Sequence, residues 1–207
     1  MPPKPDAESA QGRMGRPPKT TIDEIIEAAI GLFGSRGLKG TTIAAVAQRV
    51  GLTDAGVLHH FPTKSALIEA ALERGLIMQI DRIRQLLEPG GLEAIRRMRA
   101  WGSIVEASPE LMSLQVVVSS EGIAPDSPAR TYLRERYTKM HDLIATPIRQ
   151  GIERGEIRPD IDADWEASTL VAYLDGIRLQ SLYAHDRPSL PASVERYFDL
   201  LVGRFAA

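Results

Sequence analysis

The apolar residues of this chain repeat with the period of a helix, and no segment alternates as a half-buried strand would. Ile22, Ile25, Ile26, Ala29 and Phe33 follow i, i+3, i+4, i+7 and i+11, which stacks them on one helical face. Leu133, Tyr137, Met140, Ile144 and Ile148 make a second such stripe, and Val194, Tyr197, Phe198, Leu201 and Phe205 a third. Helix starts and stops stand between them. Thr21 with Glu24 has the spacing of a capping box, Thr41 or Thr42, Thr53 and Thr63 read as caps, and Gly37 reads as a stop. Pro62, the run from Glu88 to Gly91, Pro109 and Pro128 mark further boundaries. The pattern predicts an all-α fold of about nine helices, near 22–37, 42–49, 53–61, 63–87, 92–107, 109–120, 128–154, 162–184 and 191–205. Pro147 lies inside the seventh, where it removes a donor and crowds the carbonyl of Leu143, so a kink is expected there. No internal repeat is found.

A chain of 207 residues holds one large domain or two small ones. No stretch approaches the ~18 consecutive apolar residues of a membrane span, so no membrane partner is expected. The first nineteen residues lack the apolar core of a secretory signal, and with their Pro, Gly and polar content they read as a flexible basic arm. The absence of cysteine removes disulfides, thiolate catalysis and cysteine–zinc sites, and fits a cytoplasmic protein. Net charge is −2, yet it is unevenly spread: seven Lys and Arg stand against four Asp and Glu between Arg13 and Lys64, and seventeen against twenty-one from Ser65 to Ala207. The basic end hints at a polyanion partner.

That end contains the stretch GLTDAGVLHHFPTKSAL, from Gly51 to Leu67. Its paired histidines suit a metal, a catalytic base or an anion. Adjacent helical residues point ~100° apart, and neither His59 nor His60 has a histidine or carboxylate four residues away, so no metal site is expected. Two short helices joined by a glycine turn and packed on a preceding helix describe a helix-turn-helix, with the second short helix entering the DNA major groove. On that reading His59, His60 and Lys64 face the DNA backbone. A second reading stays open for His60, which packs or hydrogen-bonds at the helix end.

The segment from Ile22 to about Ala70, with the pieces IIEAAIGLFGSRGLKGTTIAAVAQRVGL and TDAGVLHHFPTKSALIEAAL, resembles the DNA-binding domain of the TetR family of bacterial transcriptional regulators. The resemblance implies that Thr42 and Thr53 touch phosphates, that Asp54, Ala55 and Gly56 face base edges, and that His59, His60 and Lys64 hold the backbone. Leu58 stands where the family often has a phosphate-binding tyrosine, and it lacks a hydroxyl to replace it. Ala55 suits a thymine methyl; Asp54 suits a cytosine amino group or caps the helix. Base reading is thin, so DNA shape and the arm carry part of the specificity. Arg13, Arg16 and Lys19 make the arm either a minor-groove probe or a solubilising tail.

The resemblance further implies a domain layout of 1–19 arm, 20–67 helix-turn-helix and 68–207 effector-binding and dimerisation domain. Double-stranded operator DNA, a small-molecule effector of unknown identity and a second copy of the chain are the implied partners, with no cofactor. Met98, Trp101, Met112, Gln115, Tyr137, Met140 and His141 are candidate effector contacts. Gln115 shares a face with Leu111, Leu114 and Val118, where a buried amide needs a ligand, backbone or water partner. Residues 170–183 are apolar around most of the helix, which calls for cover on more than one side. Leu170, Leu174, Ile177, Val194, Tyr197, Phe198 and Leu201 are the candidate dimer contacts, and Asp175 and Arg178 are spaced to pair in an apolar setting. No catalytic constellation is visible, so the chain is expected not to be an enzyme. A helical interaction adaptor and an enzyme with convergent distant residues are the rival readings.

Overall fold

The computed structural model describes residues 22–183 and 188–207. Arg13, Arg16, Lys19 and Thr21 fall outside them. Ten α-helices follow in order: α1 Ile22–Gly40, α2 Ile43–Val50, α3 Asp54–His60, α4 Lys64–Leu87, α5 Gly91–Arg97, α6 Trp101–Glu106, α7 Pro109–Glu121, α8 Ala129–Glu153, α9 Ala163–Ser181 and α10 Leu190–Phe205. A short 3-10 turn, Met98–Ala100, joins α5 to α6, so the helix expected near 92–107 is broken. The tighter turn lets Met98, Trp101, Gly102 and Val105 all face inward. Among the described residues no strand forms, and one isolated bridge joins Ile157 to Ala206.

The caps act locally as their chemistry dictates. Thr42, Thr53 and Thr63 each accept a hydrogen bond from the backbone N–H three residues on, and Asp162 accepts two at the start of α9. Thr41 turns inward instead. It is buried, and its hydroxyl lies 3.0 Å from the Leu32 carbonyl and 2.9 Å from that of Gly37. Gly37 takes a left-handed φ of 79° and interrupts α1 where a stop was expected. Pro147 lies inside α8 without ending it.

Two apolar cores result. The first gathers Ile25, Phe33, Val46, Val57 and Leu67 from α1 to α4, and continues into Leu111, Leu114 and Val118 of α7 and Leu133 of α8. The second surrounds Trp101, Ile144, Ile148, Leu170, Val194 and Phe198. The contact of α1 with α7 is the most extensive between any two helices described. At Gly34 of α1 a Cβ would lie 2.9 Å from the Glu110 carbonyl oxygen, so the two backbones touch. The Leu38 N–H donates to the Glu121 carboxylate at 3.0 Å beside it. Thus α7 is held against the N-terminal helices by backbone contact, a shared core and a hydrogen bond.

The stripes of α9 and α10 divide differently from expectation. Leu170, Leu174, Val194, Phe198 and Leu201, expected at a partner, are buried in this chain's own core. Ile177 and Tyr197 are half-buried, and Tyr197 stacks on Tyr173 with ring centroids 3.7 Å apart. The outer stripe of α9 is Trp165, Ala172 and Leu179, all exposed, with Gly176 opening onto free space. The sequence period identifies two faces of one helix but does not say which the monomer claims.

Candidate DNA interface and effector cavity

The turn between α2 and α3 depends on Gly51, whose φ of 70° is left-handed. Its N–H, with that of Leu52, closes the end of α2 on the carbonyls of Gln48 and Ala47. In α3, Val57 is the buried residue that fastens the helix to the N-terminal core. Asp54, Ala55, Leu58, His59 and His60 are exposed and Gly56 is half-buried, so this helix offers nearly its whole surface to solvent. The rings of His59 and His60 meet edge to face, 5.2 Å between centroids, and His60 is exposed rather than packed into the helix end. Among the described residues no cluster of three or more His, Asp or Glu side chains is arranged to hold a metal ion.

Thr42 and Thr53 lie exposed at the starts of α2 and α3, where the first backbone N–H groups make a ready anion site. Lys64 begins α4, and its ammonium donates to the Lys39 carbonyl at 3.3 Å, tying α4 to the end of α1. It stays partly exposed with donors to spare. Thr53→Ala removes the one side-chain cap of α3, and we expect a loss of about 1 kcal/mol in urea unfolding. An unchanged midpoint would show that α3 is held by Val57 alone.

A narrow cavity lies between α4, α7 and α8. About 10 Å³ of it admits the centre of a water molecule. In this state it has room for roughly one water, so a larger ligand needs the helices to part. Leu72, Leu111, Leu114, Val118 and Leu133 make it apolar, and Gln115, Ser119, Tyr132 and Arg136 add polar groups. Gln115 is 6% exposed, and neither its amide oxygen nor its nitrogen has a protein partner.

Arg136 belongs to a charge cluster behind this wall. Its Nη2 donates to Asp175 Oδ1 at 3.2 Å, and Arg178 Nη1 donates to the same oxygen at 2.9 Å. The Tyr137 hydroxyl donates to Asp175 Oδ2 at 2.8 Å. Burial opposes the charge on Asp175, but Arg136 and Arg178 outweigh it and hold its carboxyl below the usual range. Burial also opposes the charge on Arg136, and there Asp175 prevails and keeps the guanidinium firmly protonated. For Arg178, burial and the like charge of Arg136 prevail and lower its pKa to about 10. Burial raises Tyr132 above its ordinary value, so at neutral pH it stays uncharged.

Of the seven candidate effector contacts, Gln115 lines the cavity. Met98, Trp101 and Met140 belong instead to the second core, and Met112 packs against it. Tyr137 does not line the cavity: the ring is partly exposed, lies under the Arg136 guanidinium and binds Asp175 through its hydroxyl. His141 sits at the surface between Asp142 and Asp164. Arg136, Tyr132 and Ser119 were missed as cavity groups. A signal existed for Arg136, which falls at i+3 from Leu133 and four before Met140, on the inward stripe of α8.

Comparison with known proteins agrees with this geometry. Residues 25–71 match the family described as bacterial regulatory proteins, tetR family, and residues 105–203 match the C-terminal domain of BetI-type transcriptional repressors. The two segments together take in more than two-thirds of the chain. The HTH-type transcriptional repressor KstR2 of Mycobacterium tuberculosis is 27% identical over 142 residues, 68% of this chain and 71% of that protein. A transcriptional regulator from Saccharomonospora viridis, solved in complex with choline, superposes with a TM-score of 0.75 at 25% identity, over 89% of this chain and 97% of that one. FadR of Bacillus subtilis, solved with stearoyl-CoA, shares the fold with a TM-score of 0.76 at 16% identity, over 89% of this chain and 100% of that one.

Proposed function

The chain belongs to the TetR family of bacterial regulatory proteins, as a ligand-responsive DNA-binding transcriptional regulator, and we propose on that premise that it binds a palindromic operator as a homodimer and represses from it in the cytoplasm. The observation that carries this reading is α3: a capped helix fastened by one buried valine, with its remaining side chains exposed, inside the segment that matches the family. Asp54, Ala55 and Gly56 meet base edges. Thr42, Thr53, His59, His60 and Lys64 meet phosphates, and Arg16 and Lys19 of the N-terminal segment, outside the described residues, supply further positive charge to the DNA. Two copies of α3 read successive major grooves about 34 Å apart. The homodimer uses the outer stripe of α9, where Trp165 is 69% exposed and Gly176 leaves room for a partner backbone, with exposed Leu200 on α10 alongside.

The effector enters the cavity of Gln115. Opening it separates α4 from α7, and α7 lies directly on α1. The DNA-binding helices then shift, and operator affinity falls by the effector's preference for the opened state.

Selection of bound duplexes from random DNA at two salt concentrations tests the reading. An inverted repeat is expected to enrich. With about three cations per protomer on phosphates, affinity is expected to fall by roughly a thousandfold between about 50 and 200 mM salt. Absence of enrichment, or affinity indifferent to salt, would turn the reading toward a protein-binding adaptor.

A further inference from the structure

The buried charges of α8 and α9 do not balance. Arg136 and Arg178 are each 3% exposed, and the carboxylate that faces both is Asp175. The phenols that face them, Tyr132 and Tyr137, are neutral at physiological pH. One positive charge is therefore left in a low-dielectric setting. Its donors are unmet as well: Arg136 Nε and Nη1 and Arg178 Nε have no protein acceptor. The Tyr137 ring under Arg136 and the Trp101 ring under Arg178, 5.0 and 5.1 Å away, attract these cations but carry no countercharge, and a buried charge without a counterion is costly and is ordinarily neutralised or paired. A guanidinium cannot shed its proton at physiological pH, so pairing is the remaining route. Arg136 lines the cavity, and so does Gln115 with its unmet amide. The rest of the lining is largely leucine and valine.

We propose that the effector is a small amphiphilic carboxylate: its head pairs with Arg136, its second oxygen accepts from the Gln115 amide, and its apolar tail parts Leu72 from Leu111 and Leu114. The proposal rests on the reading of this cavity as the effector site. The charge excess is one, which a carboxylate cancels and a phosphate dianion overshoots. A cation such as choline, found in the Saccharomonospora viridis regulator, would add to the excess. Water satisfies the Gln115 amide but leaves the charge uncancelled. The carboxylate therefore gains in pairing what the cavity must yield in opening.

The test is a thermal-shift series on the full-length protein with octanoate, phenylbutyrate, octanol and choline, together with release of the selected operator. Either carboxylate at a hundredfold excess over its Kd is expected to raise Tm by roughly 5–10 °C. Octanol and choline are expected to shift it little. Arg136→Met leaves Arg178 and Asp175 as a balanced pair, so its own Tm should be no lower than that of the wild type, while carboxylate affinity falls at least tenfold. A purely structural arginine would instead lower Tm when replaced. Arg136→Lys, which keeps the charge, should retain part of the response. The proposal is overturned if octanol or choline shifts Tm as much as the carboxylates, if the carboxylate shift survives Arg136→Met, or if neither carboxylate shifts Tm. Should octanol or choline also release operator, the cavity remains the effector site and its anion preference is what fails. A carboxylate shift that Arg136→Met abolishes, without operator release, keeps the anion site and removes the effector reading.

Discussion

Replacing Asp175 with Asn is expected to cost about 3 kcal/mol of folding stability at neutral pH, the lower end of what breaking a buried ion pair costs, because the Asp175 side chain is 25% exposed. The variant keeps the shape of the side chain and removes its charge. Arg136 and Arg178 then face each other across a neutral amide, each having lost its one ionic acceptor among the described residues. Urea unfolding measures the loss as a lower midpoint at unchanged slope. Adding Arg136→Met should recover part of it, since one of the two unpaired charges goes. The effect depends on pH in a definite direction. The carboxyl of Asp175 has a lower pKa folded than unfolded, so its contribution is fully present above the unfolded value of about 4 and is lost as pH falls through the folded one. Wild type and Asp175→Asn should therefore converge in stability in acid. If the gap between them stays constant from neutral pH into acid, charge is not what Asp175 supplies.

The second large effect concerns the junction of α1 and α7. Gly34→Ala places a methyl 2.9 Å from the Glu110 carbonyl oxygen and 3.0 Å from the Leu114 backbone nitrogen. Backbone cannot swing aside as a side-chain tip can, so the helices must move apart, at about 1–3 kcal/mol. Gly31→Ala, three residues earlier on α1, meets nothing within 4 Å and is expected to gain about 0.5–1 kcal/mol from helix propensity alone. The two variants share one chemistry and one helix, so their difference isolates the close approach to α7. Gly34→Ala should also alter operator binding, since it moves the surface through which the cavity reaches the DNA-binding helices. Equal unfolding midpoints for the two variants would show that α1 and α7 do not meet at the backbone.

Much of this was legible from residue order. Local chemistry sets helix ends: Thr53 and Thr63 cap where their spacing said they would, and of the two candidates Thr41 and Thr42 it is Thr42 that caps α2. Of the stripes of α1 and α10, Ile25, Ile26, Ala29, Phe33, Val194, Phe198, Leu201 and Phe205 are buried as their period required, whereas Ile22 at the first position of α1 is exposed and Tyr197 is half-buried. The pairing of Asp175 with Arg178 follows from three residues of separation on one helix. Gln115 was suspect for a sound reason, as an amide on an apolar face. The 3-10 break at Met98–Ala100 was not legible, because no glycine or proline lies within it.

Residue order marks which side chains share a helical face, since a helical period is a property of neighbours along the chain, but Ile22 and Tyr137 lie on such stripes and are exposed. It marks the helix-turn-helix segment as well, which is contiguous from cap to cap and lies within the family match over residues 25–71. What each inward residue meets was decided only when the helices packed. Trp101 and Met140 met the core of the second half, whereas Arg136 met a cavity bounded by helices from three separate parts of the chain. Periodicity carries no information on that choice, because a filled core and an empty cleft present the same apolar stripe. Charge balance has the same origin: Arg136 and Arg178 lie 42 positions apart, and only their convergence on one carboxylate leaves a buried charge unpaired.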